Sequence, residues 1–215
     1  MSTLVAFQRA LMDTIAPLDA RTPFFLGPAF NYDTLGYRWP DYATAFPAYR
    51  GRLIYEVNVL MPKRWISDGT DPSGTPKIKW PLRTDVTDAA LTAALLDTKV
   101  KGLARPLDDE RIFTANRTSD TAFPLMMSPT FPTWYLGTAV AFAAAQNVPM
   151  VLDQFGANTA SRGQLDYEAA VIAAAEAAGL GWSRWLYSAY QGAQQNQDIF
   201  HNPDVFSFYA ARVPR

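Results

Sequence analysis

The chain has no cysteine and a single histidine, His201. The first absence excludes a disulfide framework, a thiolate metal site and a cysteine nucleophile. The second leaves a Ser-His-Asp arrangement or a histidine-rich metal centre only one imidazole to draw on. Charge is scarce too, at 18% of residues, against roughly 25% in an average globular chain. The 19 basic and 20 acidic residues nearly cancel. Neutralising a phosphate backbone takes clustered Lys and Arg, so nucleic acid is not expected as a partner. The longest apolar stretch, around Tyr135 to Ala145, is too short and interrupted to span a bilayer. Met1 to Ala16 lacks a basic leading region and contains Asp13, so neither membrane insertion nor a secretory signal is expected. Gly27 and Gly156 are isolated and form no glycine-rich phosphate loop. No cofactor and no metal is expected.

What is there suits a packed domain. The 215 residues are 49% apolar, enough for a sizeable core, and are expected to form a single domain. Thirteen Phe, ten Tyr and six Trp stand beside 16 Pro. Aromatic side chains on this scale suit large cores, partner interfaces and sugar faces.

Leu4, Phe7, Leu11 and Ile15 recur at helical spacing until Pro17 ends the run. Phe24 to Leu26 reads as a short strand, Asp41 to Arg50 as a short helix, and Leu53 to Leu60 as a β-branched strand stopped by Pro62. From Lys63 to Pro132 the chain is proline-rich and irregular; only Asp88 to Thr98 has a helical pattern, with Asp85 or Thr87 as its cap. Tyr135 to Gln146 and Gln164 to Ala178 read as helices, Pro149 to Asp153 and Trp182 to Tyr187 as strands. Gly179 suits the end of the second of these helices. Such alternation implies parallel strands joined by crossover helices, the α/β class.

Several segments, in order, resemble the C-terminal half of a glycoside hydrolase family 5 (cellulase-like) barrel. Ile15 to Pro28 is similar to its fourth helix and fifth strand. Ile54-Tyr-Glu-Val-Asn-Val-Leu-Met-Pro62 resembles the sixth strand, Tyr-x-x-His-x-Tyr-x-Pro, with Trp65 to Gly69 and Trp80-Pro81 in the loop after it. Asn147-Val-Pro-Met-Val-Leu-Asp-Gln-Phe-Gly156 matches the family's Val-Pro-x-x-x-Gly-Glu-Phe-Gly, and Ala175 to Trp185 its seventh helix and eighth strand. The resemblance implies half of a TIM-type (β/α) barrel: about four parallel strands with crossover helices, and a long irregular insertion at about residues 70–132.

It also implies degenerate chemistry. Gln154 stands where the family has its nucleophilic Glu, Asn58 where it has His, and Leu60 where it has Tyr. An amide cannot attack an anomeric carbon as a carboxylate does. Asp153 is adjacent, and strict alternation sends it to the other face. The Asn-Glu-Pro acid/base motif of the fourth strand has no counterpart. No catalytic residue is therefore expected. Trp185, at the position of the family's sugar-stacking Trp, is expected with Trp65, Trp80, Asn58 and Gln154 to line any cleft for an oligosaccharide. His201 reads as a surface or interface residue, Asp108 to Glu110 as a solvated acidic run, and Asn116-Arg-Thr118 as a sequon that matters only in a secreted chain. Four strands cannot close a barrel, and their open edges invite pairing. The expected partner is another chain or a second copy that completes the sheet. The expected function is that of a structural or assembly subunit; a carbohydrate-binding pseudoenzyme and one half of a split hydrolase are the alternatives.

Overall fold

The computed structural model describes residues 2–28, 34–38, 42, 44–71, 74, 76, 78–95, 123–186 and 198–212. The element order is α1 (Ser2–Ile15), β1 (Phe24–Leu26), two 3-10 turns (Thr34–Arg38 and Pro47–Arg52), β2 (Leu53–Val59), α2 (Lys63–Asp68), α3 (Asp88–Leu95), α4 (Phe123–Met126), α5 (Thr130–Gln146), β3 (Met150–Phe155), α6 (Gln164–Ala177), β4 (Gly181–Trp182) and α7 (Pro203–Ala210). The strands form one sheet in the order β1-β2-β3-β4, every pair parallel. Sequential parallel strands with helices between them are the α/β arrangement expected, a sector of a (β/α) barrel.

The two faces of the sheet differ. Leu53, Tyr55, Val57 and Val59 alternate along β2 and are buried, as are Met150, Leu152 and Phe155 on β3. They pack against α5 and α6 through Leu136, Phe142, Tyr167 and Val171. Much of the aromatic content is spent here: Tyr37, Tyr42, Tyr55 and Phe142 form a cluster with ring centroids 4.8–6.2 Å apart. The opposite, inner face carries Phe25, Ile54, Glu56 and Val151, all at least partly exposed.

Several boundaries differ from those the sequence implies. α5 begins five residues early, because Pro132 sits in its first turn, where a missing N–H costs no helical bond. Asn147 closes that helix in the left-handed region, φ 50°. Of the helix expected over Asp41–Arg50, Tyr42 is helical and Pro47 leads a 3-10 turn that runs to Arg52, while residues 41 and 43 lie outside the described residues. α2 and α4 are regular where an irregular stretch is expected; Thr87 caps α3, its Oγ1 accepting from Ala90 N–H at 3.2 Å. Residues 96–122, with the acidic run and the sequon, lie outside the described residues.

The strand expected over Trp182–Tyr187 is regular only at Gly181–Trp182. Its backbone still follows β3, with Ser183 N–H donating to Leu152 O and Trp185 N–H to Phe155 O, both at 2.9 Å. Two residues on one side thus span three on the other. The mismatch is a bulge in β3: Val57 pairs with Leu152 but Asn58 pairs with Gln154, leaving Asp153 as the extra residue.

α1 also departs from simple amphipathicity. Met12 is its buried anchor, while the apolar series Phe7, Leu11 and Ile15 remains exposed, Phe7 by 60%. Together with Phe25 and Pro28, these side chains border a groove of about 480 Å³ between α1 and β1, the outermost strand.

Candidate functional site

The C-terminal ends of β2 and β3 bring Asn58 and Gln154 side by side. Asn58 Nδ2 donates to Gln154 Oε1 at 3.2 Å. Asn58 is 2% exposed and its Oδ1 has no donor, an unsatisfied buried acceptor directed onto the same face. The pair sets an amide against an amide.

The bulge alters what surrounds it. Leu152 points to the helices, so alternation from it sends Asp153 inward, and the register with Asn58 turns Gln154 inward as well. Strict alternation would separate the two; the extra residue puts both on the inner face. Glu56, two residues before Asn58, shares that face. Burial first, and then repulsion from Asp153, raises the Glu56 carboxyl from 4.5 to about 7. The inner face therefore holds two carboxylates and two amides.

The tryptophans divide. Trp185 follows β4 and is 42% exposed, held by its N–H to Phe155 O. Gly156 permits that approach: its φ is 147°, and a Cβ there would lie 2.5 Å from Trp185 O. Trp65 and Trp80 lie in the interior instead of on a cleft wall. Trp65 is fully buried, its Nε1 donating to Ile78 O at 2.9 Å and its ring edge-on to Tyr167. Trp80 also packs edge-on with Tyr167, and its Nε1 finds no partner. Both are held inside by the Tyr167 ring of α6, a contact that spacing along the chain does not disclose.

A second polar cluster gathers around Arg184, the residue before Trp185. Glu168, fully buried, accepts from Ala157 N–H (2.9 Å), Gln164 Nε2 (2.8 Å), Arg184 Nε (3.1 Å), Arg184 Nη2 (3.0 Å) and the Tyr209 hydroxyl (2.5 Å). A buried carboxylate is tolerable only with such complete hydrogen bonding. It ties the loop after β3, α6, the stretch after β4 and α7 together, and burial beside it raises the Tyr209 phenol strongly. His201 sits far along the chain on the turn before α7, its Nδ1 2.6 Å from Asp198 Oδ2. Among the described residues no cluster of three or more His, Cys, Asp or Glu could hold a metal, and no helix is long and apolar enough to cross a membrane.

Parallel strands in sequential order with helices on one face define a sector of a (β/α) barrel. No family model matches the sequence, and no curated protein matches it. Solved structures match in fold. Subunit Z of the clostridial cellulose synthase from Clostridioides difficile aligns with TM-score 0.58 and 14% identity, over 95% of this chain and 55% of that one. An endoglucanase aligns at TM-score 0.47 and 13% identity over 95% and 64%, and a hyperthermophilic endo-β-1,4-glucanase at 0.45 and 13% over 95% and 65%. This chain thus spans about half the length of the cellulose synthase subunit. The likeness to that subunit is one of fold: the chain is a partial (β/α) barrel, as its strand segments imply.

Proposed function

We propose that this chain is a catalytically silent, glycosidase-derived partial barrel, one domain with an insertion at about residues 70–132, that serves as a structural or assembly subunit. Its sheet is completed by another chain or a second copy. The observation that carries this reading is the uncovered apolar surface at the outer strand, where Phe7, Leu11, Ile15 and Phe25 stand exposed beside the edge of β1. Burying apolar area stabilises by about 25 cal/mol per Å², so such a patch next to an open strand edge favours association. The Gln154–Asn58 amide pair supports catalytic silence, since neither side chain can act as nucleophile or proton donor in glycoside cleavage. Native mass of the purified chain tests the reading. Assembly is expected; a stable monomer would refute it.

One observation favours carbohydrate binding beside that role: Trp185 is 42% exposed, and its backbone N–H is bonded to Phe155 O, the residue after Gln154. Titration with cello- and manno-oligosaccharides, followed by tryptophan fluorescence, is expected to quench through Trp185. A response unchanged in Trp185→Ala would remove the platform from the account.

A further inference from the structure

Around the axis of α1 the residues divide by what they meet. Met12 is buried, Arg9 donates to Ala45 O and Asp13 accepts from the Tyr49 hydroxyl, so that side of the helix is tied to its own chain. Phe7, Leu11 and Ile15, spaced by four, form a ridge on the other side and stand exposed. Beside the ridge runs the groove of about 480 Å³ whose far wall is β1. No charged residue lines it. Its one polar side chain, Gln8, is spent within the chain: Nε2 donates to Gly27 O at 3.0 Å, and Oε1 accepts from the Tyr42 hydroxyl at 3.5 Å. The side chains of the groove therefore offer an occupant apolar contact alone.

We propose that the occupant is the α1 ridge of a second copy: two chains meet about a two-fold axis, each ridge lying in the groove of the other and covering the outer strand there. The inference rests on the completion reading above and names its partner. A convex apolar ridge beside a concave apolar groove is self-complementary, which is the condition for an isologous contact. Anchors four residues apart are what a groove of this kind accepts from a helix, and rows of that spacing pack helix on helix in the commonest class. Charge does not oppose the pairing, since the lining is uncharged and Arg9 and Asp13 are engaged on the far side of α1. An occupant with charged anchors would lose water and gain no counterpart. The area agrees. The exposed parts of Phe7, Leu11, Ile15 and Phe25 amount to roughly 400 Å² of apolar surface, about half of the roughly 800 Å² per partner that a stable interface buries. An apolar core ringed by more polar surface is how homodimer contacts are built. A helix laid beside an edge strand also shields its open backbone groups.

The test uses the full chain, whose lack of cysteine makes a single introduced thiol unambiguous. Near a two-fold axis a residue meets its own copy, and two antiparallel ridges bring Leu11, the middle of the three, closest to that axis. Leu11→Cys is therefore expected to form a disulfide-linked dimer under mild oxidation. Ala173→Cys, exposed on α6, is expected to stay unlinked on a denaturing gel. Sedimentation equilibrium is expected to give twice 23.8 kDa for wild type. Phe25→Lys puts a charge on the β1 wall of the groove and leaves α1 intact. It is expected to weaken the dimer about tenfold or more, with circular dichroism to verify folding. A chain that assembles into anything but a dimer, or a dimer in which Leu11→Cys cross-links no more than Ala173→Cys, overturns the α1 pairing. Either result assigns the groove to another occupant and leaves the completion reading intact, as does a dimer indifferent to Phe25→Lys. A stable wild-type monomer refutes the completion reading itself.

Discussion

Replacing Glu56 with glutamine removes a charge while keeping shape, and the structure dictates how the effect depends on pH. The folded carboxyl titrates at about 7, against 4.5 when free. Between those values the folded chain holds a proton that the unfolded chain releases, so stability falls as pH rises through the window and levels off above about 7. A displacement of that size corresponds to about 3 kcal/mol. Glu56 is only half-buried, and solvent screening reduces the figure to about 1–2 kcal/mol. Glu56→Gln is therefore expected to stabilise the isolated chain by about 1–2 kcal/mol at pH 8 and to leave it within about 0.5 kcal/mol of wild type at pH 4. Urea unfolding at pH 4, 6 and 8, followed by the six tryptophans, measures the difference. Asp153→Asn should act in the same direction through its effect on Glu56. A variant less stable than wild type at pH 8, or a gap that does not change with pH, would refute the picture of an unbalanced inner pair.

Three further substitutions test other parts of the account. Arg184→Leu strands the fully buried Glu168 without its cation, and a loss of about 3–5 kcal/mol is expected in urea unfolding; a loss under about 1 kcal/mol would show the network to be dispensable. Gly156→Ala forces a Cβ to within 2.5 Å of Trp185 O at a φ of 147°, so a loss of about 1–3 kcal/mol should accompany a changed near-ultraviolet spectrum from Trp185. Gln154→Glu restores a carboxylate at one position only. It is expected to give no hydrolysis of a soluble cellulose derivative, and measurable turnover would contradict catalytic silence.

The elements most legible in the sequence were those whose signal is local. β2 and α6 follow from a β-branched run and a helical period, whereas the hydrogen bond between Asn58 and Gln154 is visible only in the structure. The bulge at Asp153 is different in kind, because it exists only in the register between β2 and β3. Strict alternation puts Asp153 and Gln154 on opposite faces, so a reading that turns Gln154 inward hides the inner carboxylate pair. Glu56 did carry a readable sign, its spacing of two from Asn58 on a strand. Trp65 and Trp80 misled because a tryptophan in a loop after a strand fits a cleft and a core equally well; Tyr167, about a hundred residues from Trp65, decides between them. In α1 the apolar spacing is plain, yet spacing says nothing of whether a partner for that face lies in the chain. Phe7, Leu11 and Ile15 remain uncovered.

The mass of the chain in solution, measured by sedimentation equilibrium for wild type and for Phe7→Lys/Leu11→Lys, bears most directly on the completed-barrel account. Both altered side chains are exposed, so the variant should fold with little change in stability. The account predicts wild type heavier than its 23.8 kDa and a variant shifted towards that mass. A wild type that is a stable 23.8 kDa monomer, its groove tolerating lysine without consequence, would contradict it.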